Sequence, residues 1–203
     1  MIRKPPPARP DPRPGRDAAN AVVALGANLG DRRETIRRAV ERISRLPLVD
    51  EVRLSELHET VAVRLDGPDP DAPVYVNAVA IVSTRLAPEV LMGMLHAIEE
   101  EHGRERRERW GDRTLDLDLI TYGDIVSDDP RLLLPHPRAA ERLFVLDPWL
   151  SVDPDGEIPG RGRIADLAAG LRADAAGEVA VDDTDEVAVD DTTDDSTDDS
   201  GRG

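Results

Sequence analysis

"RWGDRTLDLDLI" (109–120) follows a run of arginines and then alternates leucine with aspartate: Leu115, Asp116, Leu117, Asp118, Leu119. Successive side chains of a β-strand point to opposite faces, so the three leucines enter a core while Asp116 and Asp118 share the other face. A strand buried on both sides would read as a continuous apolar run. The sheet that holds this strand therefore has one dry face and one face open to water or a ligand.

Working outward, "AVVALG" (21–26) predicts a buried strand ending in a turn. Asp31 with Glu34 three residues later forms a capping-box signature, and Ile36, Ala39, Val40, Ile43 and Leu46 follow at helical spacing, predicting a helix over 32–46. Pro47 stops it, and "VDEVRLSELHET" (49–60) alternates loosely, as one half-exposed strand would. "RLDGPDPDAP" (64–73) holds too many breakers for a regular element, and "VYVNAVAIVST" (74–84) predicts a β-branched strand with Tyr75, Asn77, Val79 and Ile81 on one face. Pro88, then Leu91, Leu95 and Ile98, with Gly103 beyond, predict a second helix over 88–102, and 114–123 is the fourth strand. The order β-α-β-β-α-β is that of a ferredoxin-like α/β (α+β) unit, an antiparallel sheet with two helices on one face and the other face free for a ligand. A C-terminal extension, from "LPHPRAAERLFVL" (134–146) to an amphipathic helix at 162–172, should pack beside it.

Composition sets the domain limits. Residues 1–20 are rich in proline and arginine and residues 174–203 are acidic and low in complexity, with a near-repeat at 178–193, so both are expected to be disordered and 21–173 to form one domain. The formal charge of −16 is unevenly spread: twelve acids against one arginine in 174–203, and five bases against two acids in 1–20, leave about −8 for residues 21–173. No basic footprint is visible, so a nucleic-acid partner is not expected. The absence of cysteine excludes disulfides and thiolate chemistry, and no apolar run is long enough for a membrane span. A cytoplasmic monomer acting on small molecules is the expectation.

Two carboxylates side by side repel each other unless cations or water neutralise them. Magnesium, a hard ion with oxygen ligands, suits that pair when phosphates complete its sphere. Alternation alone yields the same pattern on a strand with one wet face, so the pair does not decide by itself. Its neighbours point to phosphate: Arg104, Arg106, Arg107, Arg109 and Arg113 lie just upstream, and guanidinium groups fork onto phosphate oxygens. The sole lysine is Lys4, in the N-terminal arm, so any phosphate on the domain is left to arginines, amides or metal. "GANLGD" (26–31) matches neither glycine-rich nucleotide loop, and His96 lies outside any H-E-x-x-H motif. His136, between prolines in "LPHPR", sits in a rigid loop that can aim an imidazole at a ligand.

Together "ALGANLGD", "VYVNAV", "RWGDRTLDLDLI" and "LPHPR" followed by "ERLFVL" resemble the hydroxymethyldihydropterin pyrophosphokinases of folate biosynthesis, over about residues 20–158. The resemblance implies a ferredoxin-like kinase that moves the β,γ-pyrophosphate of ATP onto the hydroxymethyl group of a reduced pterin and releases AMP. It implies two magnesium ions on Asp116 and Asp118, and catalytic arginines at Arg104 and Arg113. ATP contacts are implied at His96, Glu99, Arg106, Arg109, Trp110, Ile120, His136 and Arg142. A pterin slot is implied at Thr60, Val61, Val63, Tyr75, Asn77, Trp110 and Phe144, with Tyr75 and Phe144 around the ring and Trp110 closing over the site. Val61 stands where the family often has proline, and the 64–73 loop is unusually acidic. Two other readings share the acidic pair: a different two-metal phosphoryl or nucleotidyl transferase, and a non-catalytic binding module of the same fold.

Overall fold

The computed structural model describes residues 18–61, 74–102 and 114–182, with side chains as far as residue 176. Within them run β1 (Ala19–Ala27), α1 (Arg32–Ser44), β2 (Val49–Leu54), β3 (His58–Val61), β4 (Val74–Thr84), α2 (Pro88–Glu101) and β5 (Asp116–Tyr122). The sheet order is β2-β4-β1-β5, every pairing is antiparallel, and β3 continues alongside β4. This is the ferredoxin-like arrangement that the element order predicts.

Local chemistry accounts for the boundaries. Asp31 caps α1 by accepting from the Glu34 backbone N–H at 3.1 Å, while the Glu34 carboxylate turns outward to Arg38 at 2.9 Å, so half of the capping box forms. The single strand expected over 49–60 is two strands. At the break, the Ser55 hydroxyl accepts from the Val79 N–H at 2.9 Å and donates to the Glu56 carbonyl at 2.7 Å, taking a ladder position from the backbone.

The face under α1 and α2 is dry: Ala21, Val23, Leu25, Val76, Ala78, Ala80, Val82, Leu115, Leu117 and Leu119 pack with Ile36, Ile43, Leu91 and Leu95. The opposite face is not left wholly free. After the hairpin β6 (Ser127–Asp129) and β7 (Leu132–Leu134), the helices α3 (Leu143–Val152) and α4 (Ile164–Asp182) lie on it. Val22, Val79, Ile81 and Ile120 of the sheet are sealed there by Val145, Leu146, Trp149, Ile164 and Ala168. The extension that the sequence places beside the unit is thus the lid of a second core. Gly156 makes room for its largest side chain, because a Cβ there would lie 2.7 Å from Trp149 Nε1.

The last helix also runs past residue 173, the domain end expected from composition. The alanine-rich "ADAAGEVAVD" continues it to Asp182, alanine being the best helix former. Among the described residues no helix is long and apolar enough to cross a membrane.

Candidate active site

The second face divides into two halves. Strand pairing sets Gly26 opposite both Asn77 on β4 and Asp116 on β5, sets Ala24 opposite Val79 and Asp118, and sets Thr60 of β3 opposite Tyr75. Directly opposed residues share a face, so Thr60, Tyr75, Asn77, Asp116 and Asp118 project on the same side of the sheet as α3 and α4, and all but Asn77 are only half-buried. Gly26 contributes no side chain between Asn77 and Asp116, and this keeps the floor between them low. A β-bulge opposite Val22 and Val23 then shifts the register of β5 beyond Asp118, and Ile120 enters the second core at 1% exposure.

On the β5 side, the His136 N–H donates to the Ile120 carbonyl at 2.8 Å, docking the "LPHPR" segment against the strand just past the acids. Burial pulls the His136 imidazole below its ordinary pKa; Asp118 opposes this, and Arg142 and Arg138 reinforce it. The Arg138 N–H donates to His136 Nδ1 at 3.3 Å, so the neutral ring carries its proton on Nε2. Arg142, lowered first by burial and then by Arg138, feels Asp118 and Asp116 as well, and its guanidinium lies 5.4 Å from the centre of the Phe144 ring. Both acids therefore act electrostatically on His136 and on Arg142, with Arg138 beside them.

The β3–β4 side has different chemistry. Asn77, 7% exposed, donates from Nδ2 to Thr60 Oγ1 at 2.7 Å, which fixes the amide plane and leaves its carbonyl oxygen on the Gly26 side, 3.5 Å from where a Gly26 Cβ would stand. Tyr75 is half-buried, and Phe144, 41% exposed, heads α3, which packs against β4. Val61, at the end of β3, is exposed. The structure thus brings Thr60, Tyr75, Asn77, Asp116, Asp118, His136, Arg142 and Phe144 to one side of the sheet.

Two expected nucleotide contacts are buried. Ile120 is core, and Glu99 is 1% exposed, with its carboxylate accepting from the Leu117 N–H at 2.8 Å. Ile120 is sealed by α3 and α4, and Glu99 lies between α2 and β5. His96, on the same helix, is exposed. Arg104, Arg106, Arg109, Trp110, Arg113 and Val63 lie outside the described residues. Arg138 was not singled out by sequence; its place two residues after His136 in a proline-bounded loop was the available signal.

The donor set fits magnesium. Asp116 and Asp118 offer two hard carboxylate groups, and among the described residues no group of three or more His, Cys, Asp or Glu could hold a metal ion by itself. Two carboxylates with the remaining ligands supplied by phosphate and water is the usual way proteins hold this ion.

Residues 22–154 match the family model for 7,8-dihydro-6-hydroxymethylpterin-pyrophosphokinase (HPPK). The chain belongs to this family. It is accordingly an ATP-dependent pyrophosphokinase. The HPPK relatives include the 2-amino-4-hydroxy-6-hydroxymethyldihydropteridine pyrophosphokinase of Pseudomonas aeruginosa, 43% identical over 147 residues that make up 72% of this chain and 88% of that protein. The enzyme of the same name from Haemophilus influenzae is 39% identical over 72% of this chain and 89% of its own length. Among solved structures, the Plasmodium falciparum HPPK-DHPS S436F/A437G/A613S protein with pterin and p-hydrobenzoate superposes with a TM-score of 0.60 at 13% identity, covering 83% of this chain. This chain spans 47% of that one, and the likeness concerns the fold alone.

Proposed function

We propose that this HPPK chain transfers the β,γ-diphosphate of ATP to the hydroxymethyl oxygen of 6-hydroxymethyl-7,8-dihydropterin, a step of folate biosynthesis. The observation that carries this reading is the gathering on one side of the sheet of an acidic pair, the cations Arg138 and Arg142 with the neutral His136 beside them, and the Tyr75, Asn77 and Phe144 group. In-line phosphoryl chemistry needs positioning and charge neutralisation more than it needs a strong base. The pterin oxygen attacks the β-phosphorus, the bond from that phosphorus to the α,β-bridging oxygen breaks, AMP leaves with the bridging oxygen, and the hydroxyl proton is released.

Each group has a part. Asp116 and Asp118 would hold magnesium, two ions in this reading, which supplies charge neutralisation to the phosphate oxygens. His136, neutral and protonated on Nε2, donates to a phosphate oxygen, and Arg142 supplies a forked cation held in place by Phe144. By the family resemblance Arg104, Arg106, Arg109 and Arg113 would add the remaining cations, and Trp110 would close over the site. Tyr75 and Phe144 take the faces of the pterin ring, and Asn77 reads its edge while the Thr60–Val63 backbone supplies further partners.

The test is product analysis. With ATP, Mg2+ and the hydroxymethyl dihydropterin, AMP and the pterin diphosphate should appear in equal amounts and neither should appear without the pterin. Formation of ADP would overturn the assignment of the β-phosphorus.

A further inference from the structure

Glu99 stands out as an acid inside the dry layer. It follows Leu91, Leu95 and Ile98 on the buried side of α2 and is 1% exposed. Burying a carboxylate is strongly unfavourable unless it is well bonded. Its Oε1 accepts from the Leu117 N–H at 2.8 Å. Leu117 lies between Asp116 and Asp118, and its amide belongs to the peptide that leaves Asp116. In the sheet order β2-β4-β1-β5, β5 is the edge strand with β1 as its sheet neighbour. An N–H that donates to α2 is one that β1 does not take, and it would otherwise be an unpaired donor beneath a helix.

We propose that Glu99 is a positioning residue for the acidic pair. By clamping the Asp116–Leu117 peptide from the helix side, it fixes the twist of β5 at the point where Asp116 and Asp118 leave the strand on the opposite face. The leucines alone do not specify this, because apolar packing is non-directional whereas an N–H to carboxylate bond is not. The inference rests on the reading of Asp116 and Asp118 as cation ligands and adds the residue that aims them.

The experiment compares the unsubstituted full chain with Glu99→Gln, which keeps a side-chain oxygen acceptor, and Glu99→Leu, which removes it. Amide hydrogen exchange at Leu117 and Mn2+ binding in the presence of the non-hydrolysable α,β-methylene analogue of ATP, followed by electron paramagnetic resonance, are measured alongside steady-state kinetics. In Glu99→Leu, exchange at Leu117 should accelerate and Mn2+ affinity should fall about 10- to 100-fold, the usual cost of losing a residue that orients a metal ligand. Turnover should fall with it while KM for the pterin holds. Glu99→Gln should recover both Leu117 protection and most of the Mn2+ affinity. Faster exchange at Leu117 with unchanged Mn2+ affinity would overturn the proposal and reduce Glu99 to a seal on the core. If Glu99→Leu does not fold, Glu99→Gln decides: full protection at Leu117 with the Mn2+ affinity lost would equally overturn a positional role. Failure of the unsubstituted chain to bind Mn2+ with the analogue would instead overturn the metal reading beneath it.

Discussion

Where β5 meets α2 its side chains are leucine after leucine, whereas on the side that meets the C-terminal helices they change from Asp116 and Asp118 to Ile120. The same division runs across the sheet: Asn77 and Gly26 lie in one half of that face, Val79, Ile81 and Val22 in the other. The apolar half is sealed by Val145, Leu146 and Trp149 of α3 and by α4. Covering the polar half in the same way would strand carboxylates and an amide in an apolar layer at several kcal/mol each. The cleft is therefore the part of the sheet that the second core cannot extend over, and the boundary between the two is written in the side chains of three adjacent strands.

This contrast can be broken from the apolar side with the largest effect. Trp149→Ala removes the biggest buried side chain of the second core and should cost about 3–5 kcal/mol in denaturant unfolding. If the loss were below about 1 kcal/mol, α3 would be a loosely held cover and the second core would not anchor the cleft.

From the polar side, Asn77→Ala should separate binding from stability. It leaves Thr60 Oγ1 without its donor and removes the amide from the floor of the cleft. The pterin KM should rise by a factor corresponding to about 1–3 kcal/mol, exceeding the change in unfolding free energy. A stability loss with an unaltered KM would make Asn77 a structural strut between β3 and β4.

The smallest effect is on pH dependence. His136 has its pKa depressed by burial, with Arg142 and Arg138 adding to it. A histidine depressed in the folded state contributes stability that is present above its unfolded value of about 6.5 and is lost as the pH falls through the folded value. Acidification also places a proton on Nδ1, which ends its acceptance from the Arg138 N–H. Nuclear magnetic resonance titration of the ring should show a midpoint below about 6.5 and the Nε2–H tautomer above it. A midpoint above that value would mean that Asp118 and Asp116 dominate over burial.

Much of this was legible in the chain. The α1 and α2 segments follow from periodicity and caps, because each buries one face against the sheet, the β1, β4 and β5 segments follow from short apolar or alternating runs, and the side-by-side acids follow from the period of a strand. The break at Ser55 was hidden, since it depends on a hydroxyl meeting the Val79 N–H from another strand. The packing of α3 was hidden as well: "LFVLDPWLSV" is apolar nearly all round, so its composition does not say which surface it covers. Glu99 reads as one more acid in "EEE" until α2 is placed on β5, and only then does its carboxylate meet Leu117. The residues of 103–113, on which the arginine loop falls, lie outside the described part of the chain and stand on resemblance.

In the proposed reaction Asp116 and Asp118 hold cations beside a triphosphate. The most direct test of this role is Asp118→Asn, measured for Mn2+ stoichiometry with the α,β-methylene ATP analogue and, in the same samples, for thermal unfolding without metal. Bound Mn2+ should be reduced or abolished while the metal-free melting temperature is unchanged or higher, because one of two like charges has been removed with little change in volume. Full Mn2+ binding by Asp118→Asn, or a lowered melting temperature with cation binding intact, would contradict it.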